Sequence, residues 1–130
     1  MVSLPNAIEV VTLFVGDIGE AKAFYAKIFE PRVLFQDDVS CVLKFEGAMV
    51  NLLQASQAPQ LEQPAPVAPA ASGAHMLFTI KVADVDAVCA ALRDRGVTLL
   101  NGPINRPWGR RTAAFADPSG HIWEVAQELS

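Results

Sequence analysis

Asp117-Pro118-Ser119-Gly120-His121-Ile122-Trp123-Glu124 reads as a four-residue turn, with proline at its second position, feeding a strand that carries one carboxylate. A degenerate counterpart stands earlier. Phe45-Glu46-Gly47 leads into Ala48-Met49-Val50-Asn51-Leu52-Leu53-Gln54, which aligns with His121-Ile122-Trp123-Glu124-Val125-Ala126-Gln127 and makes Asn51 the repeat partner of Glu124. A second matched pair, Val15-Gly16-Asp17-Ile18 and Val82-Ala83-Asp84-Val85, precedes a helical pattern in each half. One unit used twice sets the architecture ahead of any local propensity.

Working outward, residues 8–16 are apolar on both faces, as in a strand covered on both sides. Asp17 offers an N-cap with Glu20 three residues on, and Ile18, Ala21, Phe24, Tyr25 and Ile28 recur at helical spacing up to Phe29. Strands follow at 32–38, 40–46 and 48–54, the first two around Asp37-Asp38, so residues 7–54 form a βαβββ unit. Residues 55–74, rich in Pro, Ala and Gln, are expected to be an extended linker that need not join the core. The second βαβββ unit spans 75–128: a strand at 75–82, a helix capped by Asp84 and stopped by Gly96, and a strand at 97–100. A loop at 102–107 and strands at 108–116 and 122–127 complete it.

The 130 residues, 52% apolar, are enough for one domain built of two such units. A net charge of −4 argues against nucleic acid as a partner, since only Arg106, Arg110 and Arg111 gather locally. No stretch has the length of a membrane span, and residues 1–7 lack the basic start and apolar run of a secretory signal, so a cytoplasmic location is expected. Cys41 and Cys89 lack Cys-x-x-Cys spacing and read as small buried hydrophobes. No Ser-His-Asp arrangement or Gly-rich phosphate loop is present to support nucleophilic or phosphoryl chemistry.

Taken in order, Val15-Gly16-Asp17-Ile18, Ala23-Phe24-Tyr25, Trp108-Gly109-Arg110-Arg111 and the Asp117 to Glu124 segment resemble the vicinal oxygen chelate superfamily, which includes glyoxalases, extradiol dioxygenases and fosfomycin- and bleomycin-resistance proteins. The resemblance covers nearly the whole chain, as a single domain over 1–130. It implies an α+β fold of two βαβββ units forming an eight-stranded cup or open barrel with helices outside, the glyoxalase/bleomycin-resistance fold. It also implies a homodimer. In the family's enzymes a divalent metal sits in the cup, held by side chains from the first and last strands of each unit, where His nitrogen or carboxylate oxygen is required.

Carried over residue by residue, those four positions fall on Val10, Asn51, Leu77 and Glu124. Two are aliphatic and one is a neutral amide, so no metal site and no cofactor are expected; a displaced site of His75, Glu124 and substrate oxygens is the remaining route to a divalent metal. Glu124 is the one catalytic candidate, and it has three readings: a relic metal position, an anchor for a cationic ligand, or half of an internal pair with Arg111.

Strand alternation and the resemblance together assign a ligand cavity to Val10, Thr12, Phe14, Met49, Asn51, Leu53, His75, Leu77, Thr79, Trp108, Arg111 and Glu124, with Lys81 at its end. Trp108 either stacks on a planar ligand or closes one end of the barrel. His75 is either functional or an idle residue at a strand start. His121 and Trp123 point away from the cavity, and Phe24 and Tyr25 read as core. The expected function is metal-free binding of an apolar or aromatic small molecule, cationic ones included, an antibiotic-resistance-like sequestration. The alternatives are a lyase, isomerase or glyoxalase-like enzyme using Glu124, and an interaction module whose cup its own side chains fill.

Overall fold

A computed structural model describes residues 4–69 and 72–130; the first three residues of the stretch read for a secretory signal, and Ala70 and Ala71 of the linker, lie outside the described residues. The elements are β1 (Val10–Val15), α1 (Ile18–Phe29), β2 (Arg32–Gln36), β3 (Ser40–Phe45), β4 (Ala48–Gln54), a 3-10 turn (Ala55–Gln57), α2 (Pro59–Glu62), β5 (Leu77–Lys81), α3 (Val85–Asp94), β6 (Leu99–Asn105), β7 (Arg110–Ala116) and β8 (Ile122–Glu128). The chain divides into two compact units, Met1–Val67 and Ala68–Ser130. Their sheets share one plan, β1-β4-β3-β2 in the first and β5-β8-β7-β6 in the second, so the α+β fold with two βαβββ repeats is as the sequence predicts.

Register gives each sheet two faces, because successive residues of a strand point to opposite sides. In the first unit Leu13, Cys41, Leu43, Val50 and Leu52 share the face covered by α1, whose Ala21, Tyr25 and Ile28 are buried against it. In the second, Ala113, Phe115, Trp123 and Val125 share the face of α3, which buries Val85, Cys89 and Leu92. Each buried Leu or Phe here contributes about 1.5–3 kcal/mol.

The helix starts repeat as closely as the sheets do. A helix begins with four backbone N–H groups that have no partner within it. Asp17 Oδ1 accepts from Glu20 N at 3.0 Å and Asp84 Oδ1 accepts from Ala87 N at 3.1 Å, as the cap motifs predict. Glutamines at the ends of the closing strands, Gln54 last in β4 and Gln127 next to last in β8, add a second partner: Ile18 N donates to Gln54 Oε1 at 2.9 Å, and Val85 N donates to Gln127 Oε1 at 2.8 Å. Each unit's final strand thereby holds the beginning of its helix.

Four local expectations are corrected. β6 continues to Asn105 through the stretch predicted as a loop at 102–107, because its pairing with β7 shifts register around Gly102 and Pro103 and an edge strand tolerates both residues. β7 begins at Arg110, which leaves Trp108 in the preceding turn, not at the start of the strand. β5 begins at Leu77, so His75 precedes the strand and is exposed. The segment 55–74 is not wholly extended: it carries the 3-10 turn and α2, with Ala58 fully buried.

Candidate functional site

In the second unit the face turned away from α3 is built around Glu124. The tight turn after β7 sets the hairpin register, which places Ala114 beside Glu124, and the parallel pairing of β5 with β8 places Thr79 on its other side. Thr79 Oγ1 donates to Glu124 Oε1 at 3.0 Å. Leu77, half exposed, shares this face, as do buried Ala114 and Ala126, so the carboxylate stands among small and aliphatic groups with one hydroxyl partner. Across the sheet Asn101 continues the row beside Ala114.

In the first unit the corresponding row is Thr12, Asn51 and Val42. Val10 beside Met49 and Phe14 beside Leu53 extend the same face, so six of the twelve cavity residues named from the sequence are brought together on one sheet. Among the described residues the buried Asn51 Oδ1 has no hydrogen-bond partner, an unusual state for a buried oxygen. Round the β3–β4 turn, an open groove of about 360 Å³ is lined by Leu34, Lys44, Phe45, Gly47, Ala48, Met49 and Glu9.

Arg111 is not on the Glu124 face. Register puts it opposite Gln127, on the α3 side, where its guanidinium pairs with Asp86 at 3.0 Å and Nη1 donates to Asn105 Oδ1 at 3.0 Å. The internal Glu124–Arg111 pair is therefore corrected: Glu124 has Thr79, and Arg111 has Asp86. His121 and Trp123 lie off the Glu124 face as expected, with His121 Nδ1 2.8 Å from Asp117 Oδ2 and Trp123 at 2% exposure.

The Glu124 face has one polar cluster that sequence reasoning missed. Arg106 Nε donates to Thr112 Oγ1 at 2.9 Å and its Nη2 donates to Asn101 Oδ1 at 3.3 Å, with the guanidinium carbon 6.0 Å from the centre of the Trp108 ring. The available signal was parity: Thr112 lies two residues from Ala114 on β7 and hence on its face.

The pattern of the Glyoxalase/Bleomycin resistance protein/Dioxygenase superfamily matches residues 7–125. The chain belongs to this superfamily. It is 27% identical over 120 residues to the metallothiol transferase FosB of Staphylococcus saprophyticus, covering 92% of this chain and 76% of that one. Among solved structures it superposes on a superfamily member from Nocardioides with a TM-score of 0.86 at 22% identity, covering 100% of this chain and 87% of the other. TnmS3, an antibiotic binding protein from Streptomyces sp. CB03234, gives a TM-score of 0.70 at 28% identity, with 98% and 99% covered.

Superfamily enzymes often hold a divalent metal, and the four positions that the resemblance assigns to its ligands do not supply a fitting donor set in this chain. Val10 and Leu77 offer no lone pair, Asn51 is a neutral amide, and Glu124 is the single carboxylate of the four positions. Among the described residues no group of three or more His, Cys, Asp or Glu side chains gathers. Burial pushes the Cys41 and Cys89 thiols up, which keeps both protonated and poor as ligands at neutral pH. Among those residues, too, no helix is long and apolar enough to cross a membrane.

Proposed function

We propose that the chain binds an apolar or aromatic small molecule without a metal and acts by sequestering it. The observation that carries this reading is the setting of Glu124: its carboxylate is engaged by the Thr79 hydroxyl among Leu77, Ala114 and Ala126, where a metal site needs converging nitrogen and oxygen donors. Taken by itself, the first unit likewise presents an apolar face of Val10, Phe14, Met49 and Leu53 with Thr12 and Asn51 as polar groups, the composition that small-molecule sites use. The likeness to the antibiotic binding protein TnmS3 supports the same reading. We place the protein in the cytoplasm as a homodimer, which light scattering of the purified chain tests.

The experiment is metal analysis of protein purified without chelator, followed by calorimetry against a panel of aromatic compounds. Binding is expected to be unchanged by EDTA and weakened by Glu124→Leu. Stoichiometric zinc, nickel, manganese or iron whose retention requires Glu124 would sink the metal-free reading. That result would favour the second reading, a lyase, isomerase or glyoxalase-like enzyme using Glu124, for which the relationship to the metallothiol transferase FosB speaks. A panel without any binder, in a chain whose cup proves self-filled, would favour an interaction module.

A further inference from the structure

Three arginines cluster around the β6–β7 turn, and two have their charge met. Arg110 pairs with Glu128 at 2.7 Å and Arg111 with Asp86 at 3.0 Å. Arg106 is held differently, since both of its side-chain partners, Thr112 Oγ1 and Asn101 Oδ1, are neutral. Among the described residues no carboxylate forms an ion pair with it. A guanidinium carries five N–H donors, so two are committed to orienting the group while three donors and the whole positive charge remain for another partner.

The orientation is firm because one anchor is buried in the sheet. Thr112 is 1% exposed, and the turn itself is closed by backbone hydrogen bonds from Arg106 N to Arg110 O and from Gly109 N to Arg106 O. Beside this fixed cation stands Trp108, 67% exposed, with its ring centre 6.0 Å from the guanidinium carbon. An aromatic ring left in water and a half-buried charge left without a counter-ion are both unfavourable, and one ligand relieves both. Such a ligand lays a flat ring on the indole and sets an oxyanion against the guanidinium, where paired N–H···O⁻ bonds are strongest.

We propose that Arg106 and Trp108, positioned by Asn101 and Thr112, form a recognition site for the carboxylate of an aromatic acid. This rests on the small-molecule reading above and specifies the acidic end of its ligand. Asn101 and Glu124 stand in one row on the same face with only Ala114 between them, about 10 Å apart by strand spacing. Glu124 therefore lies within reach of a hydrogen-bond donor at the other end of the same molecule.

The test is calorimetric titration with 2-naphthoate and with 2-naphthalenemethanol, which share the ring and differ in charge. Wild type is expected to bind the acid about tenfold or more tightly than the alcohol, with Arg106→Gln abolishing the preference by weakening the acid far more than the alcohol. Arg106→Lys, which keeps the charge and loses the fork, should restore part of it. Trp108→Leu, at an exposed position that leaves folding untouched, should weaken both probes by a similar factor. Equal affinity for the two probes in wild type, or a preference that survives Arg106→Gln, would overturn the Arg106 site and leave the small-molecule reading standing. Failure of both probes to bind folded wild type would overturn both.

Discussion

Asp117 organises the turn before β8 with a single carboxylate. Its side chain is fully buried; Oδ1 accepts from Ser119 N and His121 N, both at 2.9 Å, while Oδ2 meets His121 Nδ1 at 2.8 Å. Asp117→Ala strands two backbone donors and the imidazole, so urea denaturation should register a loss of about 2–4 kcal/mol. A loss under about 0.5 kcal/mol would mean that the turn finds other partners. The same turn explains which site residues were legible. Counting across the hairpin from it puts Ala114 opposite Glu124 and Arg111 opposite Gln127, so the parity that marks Trp123 as core also removes Arg111 from the Glu124 face. Placing Arg111 in the cavity neglected that count. Arg106 was harder to read, because its route back to Thr112 depends on the irregular register of β6, which Gly102-Pro103 disguises as a loop.

The elements are held by devices that the repeat alignment contains without announcing. Gln54 and Gln127 are repeat partners in sequence, and the side-chain oxygen of each accepts a backbone N–H from the first turn of its unit's helix. Pattern reading found the Asp17 and Asp84 caps because they are local in sequence; the glutamines act across 36 and 42 residues, which propensity does not see. Gln54→Ala and Gln127→Ala should each cost about 1 kcal/mol by chemical denaturation, and the double variant about twice that, since the sites share no partner. Strong coupling between the two would count against separate caps. In β6, Gly102 has φ of +85°, and a Cβ there would fall 2.4 Å from the Thr112 carbonyl oxygen. Gly102→Ala is therefore predicted to destabilise by about 2–3 kcal/mol and to loosen the Asn101 and Thr112 supports of Arg106. Gly47→Ala, with no atom within 4 Å of the added methyl, should lose less despite its φ of +83°.

At the scale of the whole molecule the doubled βαβββ plan was legible from spacing, while the ligand of the proposed small-molecule site was not, because pocket shape depends on loops that spacing does not fix. The two cysteines offer one probe per unit: Cys41 is 1% exposed in the first and Cys89 fully buried in the second. Alkylation at neutral pH should run at least about a hundredfold slower in native protein than in urea, and rapid native labelling of either would contradict its burial. Because burial raises their folded-state pKa values, what the thiols contribute to stability is present below the ordinary thiol range and lost as pH rises through the raised values. The Gln54 contact also bears on how the protein is made. Every partner of the β1–β4 pairing and of the α1 cap lies between residues 10 and 54, so these closing contacts are complete in sequence before Leu77 leaves the ribosome. During synthesis the amino-terminal half can therefore bury the sheet face under α1 while the other half is still being translated, a protection against premature association that a chain needing its last strand to close its first would lack.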